Sequence, residues 1–83
     1  MKKILYFSAA WCGPCKTLQP TMESLSDQIN YEKIDVDANQ EMSIKYGVRN
    51  IPTLLLIENG EVKDKLVGAH APARILDFWN GNG

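Results

Sequence analysis

Cysteine and histidine are scarce in this sequence of 83 residues, with only two of the first and one, His70, of the second. That excludes a scaffold stapled by several disulfides, and it leaves too few nitrogen and sulfur ligands for a structural zinc site, which takes about four. No metal is expected. An excess of charge of either sign is also absent. Nine basic residues against ten acidic ones give a net charge of −1, so nothing favours nucleic acid or an anionic membrane surface. No apolar run approaches the roughly 18 residues of a membrane span. Met1-Lys2-Lys3 before an apolar run superficially resembles a secretion signal. Cleavage near Ser8-Ala9-Ala10 would, however, discard the first strand and leave the cysteines at a new terminus. A cytoplasmic chain is therefore expected. There is no repeat, low-complexity segment or linker, and 45% hydrophobic with 23% charged residues fits one small domain over 1–83, expected to be monomeric.

What is present begins with spacing. Lys3 to Phe7 reads as a buried strand, followed by the small residues Ser8-Ala9-Ala10 and then Trp11-Cys12-Gly13-Pro14-Cys15-Lys16. From Gly13 to about Ile29 a helix is predicted, because Leu18, Met22, Leu25 and Ile29 recur at helical intervals. Pro20 should kink it. A second strand follows over Tyr31 to Val36, then a turn at Asp37-Ala38-Asn39 and a short helix closing near Tyr46-Gly47. Thr53 to Ile57 and Glu61 to Val67 read as strands joined by Asn59-Gly60, a hairpin signal. Pro72 opens a last helix with Ile75, Leu76, Phe78 and Trp79 towards the core, ending at Asn80-Gly81. The order β-α-β-α-β-β-α makes the first pair of strands parallel and the last pair antiparallel, giving an α/β fold with a four-stranded mixed sheet and helices on both faces.

Two thiols separated by two residues at a strand-to-helix junction can form a disulfide and reopen it while the fold stays put. Cys12 should lie at or just before the first helical turn, where unpaired N–H groups and the helix dipole favour a thiolate. Cys15, nearly one turn later, can bring its sulfur back to that of Cys12. An asymmetric pair follows, with an exposed Cys12 that attacks and a buried Cys15 that resolves. A purely structural disulfide would close so short a loop that it would stabilise the chain little. Gly13 and Pro14 tune the pair, since Pro14 lacks an N–H and stiffens the helix start.

From Trp11 to Lys16 the chain resembles the thioredoxin family in every position, and it is similar to that family from the usual second strand onward. An N-terminal strand and helix have no counterpart. The resemblance implies a minimal thioredoxin-like fold and a reducing thiol–disulfide oxidoreductase. It holds no cofactor beyond the redox-active Cys12-Cys15 disulfide and draws on NADPH indirectly through thioredoxin reductase. Its implied partners are protein disulfides, in enzymes such as ribonucleotide reductase. It also implies a cis peptide bond at Ile51-Pro52, within Asn50-Ile51-Pro52-Thr53, and a docking surface of Trp11, Ile51, Pro52, Gly68 and Ala69 that takes an extended substrate strand. Two other functions compete. One is a glutaredoxin-like protein recycled by glutathione, against which stand Cys-Gly-Pro-Cys and Ile-Pro-Thr. The other is a non-redox module that clamps a partner such as a polymerase.

The chain departs from the family beneath the cysteines. Tyr6 stands where most thioredoxins carry a buried aspartate that assists the second cysteine, and Ser8 replaces an aromatic. A phenol is a poor base at neutral pH, so Cys15 is expected to lose its proton through water oriented by Tyr6 or Lys33. Lys33 matches the lysine usually paired with the aspartate, and without that partner an ordinary solvated side chain is equally natural. His70 reads as a lone exposed residue beside the docking loop.

Overall fold

A computed structural model of the chain describes residues 1–82. The elements are β1 (Lys2–Ser8), α1 (Gly13–Ser24), β2 (Tyr31–Asp35), α2 (Gln40–Lys45), β3 (Thr53–Glu58), β4 (Glu61–Val67) and α3 (Pro72–Trp79). They build one four-stranded sheet in the order β2-β1-β3-β4. β1 runs parallel to β2 and antiparallel to β3, and β3 pairs antiparallel with β4. The mixed sheet and element order are those the pattern predicts.

The inner strands are apolar at successive positions because both of their faces are covered. Side chains alternate across a strand, so Ile4 and Tyr6 of β1 join Leu54 and Leu56 of β3 in one cluster. There they meet Leu18 and Met22 of α1 and Ile75 and Phe78 of α3. Leu5, Phe7, Leu55 and Ile34 form the other cluster, covered by Met42, Tyr46 and Val48 in and after α2. The edge strand β4 is exposed along most of its length and carries Lys63, Asp64 and Lys65, the kind of charged edge that resists unwanted pairing. The β3–β4 turn uses Asn59 at φ 53° and Gly60 at φ 82°. Positive φ at both centres matches the turn to the right-handed twist of the strands, and asparagine and glycine tolerate it best.

One boundary differs clearly from expectation. α1 stops at Ser24, not near Ile29. Leu25 has left helical geometry, and its N–H donates to Met22 O at 3.1 Å while that of Ser26 donates to Glu23 O at 3.2 Å. These tighter three-residue bonds wind the chain off the helix. Leu25 and Ile29 still reach the core, so their apolar spacing reported burial and not helical bonding. Pro20 lies inside α1 and does not end it. No helix among the described residues is long and apolar enough to cross a membrane.

Phe78 is fully buried between α3 and the sheet. Phe78→Ala is expected to destabilise the chain by about 3–5 kcal/mol, read as a lower denaturant midpoint at unchanged m-value. A loss below about 1 kcal/mol would contradict this packing.

Candidate active site

β1 ends at Ser8, and the chain turns through Ala9, Ala10 and Trp11, with the Cys12 N–H donating to Ala9 O at 3.2 Å. Cys12 is the N-cap of α1, in extended backbone geometry, and its Sγ accepts from the Cys15 N–H at 3.2 Å. A sulfur thus occupies the place that a serine or aspartate oxygen usually takes at a helix start. Cys12 and Cys15 are joined in a disulfide with their Cα atoms 5.2 Å apart. Gly13 and Pro14 are exposed in the first turn, and Pro14 sits where a missing N–H costs nothing.

The expected contrast in exposure is corrected here. Cys12 is 5% exposed and Cys15 2%, so both are buried. Cys12 is covered because Ala9, Val36 and Ile51 pack around the pair, with Ile51 O 3.8 Å from Cys12 Sγ. The Ile51–Pro52 peptide bond is cis. Pro52 O accepts from the Gly68 N–H at 2.9 Å, which ties the start of β3 to the end of β4. Gly68 has φ 97°, a conformation that side-chain-bearing residues avoid. Ala69 beside it is exposed.

Trp11 is 69% exposed. Its indole N–H donates to Asp37 Oδ2 at 2.8 Å, so the ring is oriented although it faces solvent. Beside it runs a mostly apolar groove of about 360 Å³, where Trp11, Val36, Ile44, Val48 and Ile51 are joined by Gln40, Ser43 and Arg49. Asp37 and Val36 were not legible as site residues, because Asp37 read only as part of a turn and Val36 as the end of a strand. His70 is half-buried, with Nε2 2.8 Å from Val67 O.

Tyr6 is fully buried beneath the helix start, but its O–H donates to the Cys15 carbonyl oxygen at 3.2 Å. Its one hydrogen is thereby directed at backbone and not at sulfur. Burial raises its pKa above the ordinary tyrosine value, Tyr31 and Glu23 add to the rise, and the Ser8 hydroxyl opposes it. Lys33 is exposed, in register with Tyr6 on the neighbouring strand. It borders a cleft of about 270 Å³ that reaches Cys15.

The model of the family described as Thioredoxin matches residues 1–80. A thioredoxin of Bacillus subtilis is 52% identical over 78 residues, covering 89% of this chain and 75% of that one. One from Rickettsia bellii is 40% identical over 80 residues, covering 92% and 76%. Among solved structures, a mutant thioredoxin from Halobacterium salinarum superposes with a TM-score of 0.90 at 38% identity, covering 98% of this chain and 74% of that one. The thioredoxin of Fasciola hepatica gives 0.90 at 30% identity, covering 99% and 81%.

The raised Tyr6 pKa has a defined effect on stability. Above pH 10 or so the unfolded chain releases a proton that the folded chain still holds, so this contribution is intact below about 10 and lost as pH climbs through the folded value. Tyr6→Phe is expected to cost about 1 kcal/mol at neutral pH, for the lost hydrogen bond, and to show a shallower alkaline decline than the parent chain. Urea titrations from neutral to alkaline pH measure both, and an equally steep decline in the variant would refute the assignment.

Proposed function

We propose that this chain, which belongs to the thioredoxin family, is a general reductase of protein disulfides and an electron donor to cytoplasmic enzymes such as ribonucleotide reductase. Its relatives and its cysteine pair make it a thiol–disulfide oxidoreductase. The observation that carries the finer reading is a disulfide set at the N-cap of α1 and packed against Ile51.

In the proposed cycle the reduced Cys12 thiolate attacks one sulfur of a substrate disulfide, forming a mixed disulfide and releasing the first substrate thiolate. Cys15, deprotonated in turn, attacks Cys12 Sγ. That releases the second substrate thiolate and leaves the Cys12–Cys15 bond. Two electrons pass from the dithiol to the substrate. Holding Cys15 next to Cys12 makes the second step intramolecular, which corresponds to an effective concentration on the order of 10⁵ M in favourable cases. An extended substrate strand docks over Trp11, Ile51, Pro52, Gly68 and Ala69, pairing with backbone beside Pro52, while Gly13 and Pro14 set the redox poise. A flavoprotein thioredoxin reductase using NADPH returns the monomeric chain to the dithiol.

NADPH consumption with thioredoxin reductase and insulin as substrate tests this, with glutathione and its reductase as a parallel arm. Turnover is expected in the first arm, none with Cys12→Ser, and with Cys15→Ser a trapped substrate adduct visible by mass. Turnover confined to the glutathione arm would place the chain with the glutaredoxins. Biological activity that survives serine at both cysteines would make it a binding module.

A further inference from the structure

The peptide between Val67 and Gly68 closes β4 and is held at both of its polar ends. Its N–H, on Gly68, donates to Pro52 O at 2.9 Å. Its C=O, on Val67, lies 2.8 Å from His70 Nε2. The two bonds run to opposite sides of the strand. Thr53 and Val67 stand opposite each other in the β3–β4 register, and the bond from Gly68 to Pro52 makes theirs a pair that exchanges no hydrogen bond of its own. Val67 O therefore points away from β3. β4 is the edge of the sheet, so no described strand meets this carbonyl, and His70 meets it instead.

A carbonyl only accepts, so Nε2 is the ring nitrogen that carries hydrogen, and it can donate in both charge states of the imidazole. The ring also lies against Gly68, since a Cβ placed on that residue would come within 3.7 Å of Nε2. Its place is set from the core. Ala71, before Pro72, is extended at φ −67° and ψ 156° as the cap of α3, and Ile75 and Phe78 anchor that helix in the main cluster. Contacts thus run from α3 through His70 and the Val67–Gly68 peptide to Pro52. The peptide needs holding because Gly68, at φ 97°, has no side chain to restrict the backbone. The bond to Pro52 alone would leave the carbonyl end free to swing. Two bonds fix the plane, and each strengthens the other through the polarised peptide.

We propose that His70 is a positioning residue for substrate: by clamping the Val67–Gly68 peptide it pre-forms the Gly68–Ala69 side of the docking surface and favours protein disulfides over small ones. The inference rests on the docking of an extended substrate strand proposed above. A protein substrate lies across this loop and binds less well where the loop must first be ordered. A small disulfide reaches the cysteines without crossing it. His70 acts through backbone and takes no part in the sulfur exchange.

Single-turnover oxidation of the pre-reduced chain by insulin, followed by alkylation and mass, gives a half-saturating concentration and a limiting rate. A small aromatic disulfide that releases a coloured thiolate serves as the second substrate. His70→Ala removes the donor, His70→Phe removes it but keeps a ring, and His70→Gln restores an N–H. The first two are expected to raise the half-saturating insulin concentration about three- to ten-fold, the factor carried by one net hydrogen bond. Their limiting rate and their rate with the small disulfide should match the parent, and His70→Gln should stay nearer the parent throughout. Amide hydrogen exchange at Gly68 should quicken by a similar factor in His70→Ala and His70→Phe. An unchanged half-saturating concentration, an equal loss on the small disulfide, glutamine behaving as phenylalanine does, or unaltered exchange at Gly68 would each overturn the proposal and leave the reductase reading standing. A parent chain that reduces the small disulfide but not insulin would defeat that reading, and the docking role of His70 with it.

Discussion

The site depends on the register of β1 with both of its neighbours. Ser8 lies beside Asp35, Phe7 beside Thr53, and Thr53 beside Val67. The segments that leave these positions therefore emerge at one end of the sheet: the turn into Cys12, the turn at Val36 and Asp37, the Ile51–Pro52 approach, and Gly68. That is how Trp11 meets Asp37, Cys12 meets Ile51 and Gly68 meets Pro52 across long stretches of sequence. A slip of one residue would invert every side chain of β1. Ile4 and Tyr6 would trade faces with Leu5 and Phe7, and the two apolar clusters that fix the register would both be lost. The chemistry is held in place by the core, which Ile51 joins directly by packing on both the Phe7–Leu55 cluster and the cysteine pair.

The parts of this arrangement legible in the sequence are those carried by local pattern. Short apolar runs and, at Tyr31–Val36, alternation marked the strands, Asn59-Gly60 the hairpin, and the Cys12-Gly13-Pro14-Cys15 run the redox pair at a helix start, because each depends on residues a few positions apart. Long-range consequences were less legible. Leu25 and Ile29 kept a helical interval after α1 had ended, since a turn of tighter bonds can aim apolar side chains at the same core. The burial of Cys12 depends on Val36 and Ile51 arriving from distant elements. Tyr6 was correctly placed beneath the cysteines, but the direction of its hydroxyl is set by which acceptor lies nearest in the folded chain, and that is the Cys15 carbonyl.

With both sulfurs buried, exposure alone does not distinguish the cysteine proposed to attack from the one proposed to resolve. Their places in α1 support that proposed assignment. Cys12 is the cap, with extended backbone and its sulfur turned to receive the Cys15 N–H, whereas Cys15 is inside the first turn. On the proposed cycle a negative sulfur at Cys12 draws on two local effects. A hydrogen bond to a charged acceptor contributes about 1.5–3 kcal/mol, and the helix dipole near its N-terminus about 0.3–1 kcal/mol. The N–H bond is therefore the larger, and it is available only to the cap position. Cys15 Sγ has no such donor among the described residues, and on the proposed cycle its buried thiol must shed a proton before it can react. The same helix start that favours an anion at Cys12 thus leaves Cys15 dependent on whatever removes its proton. In this chain the buried hydroxyl beneath it is turned to backbone, and the open side is the cleft between α1 and β2.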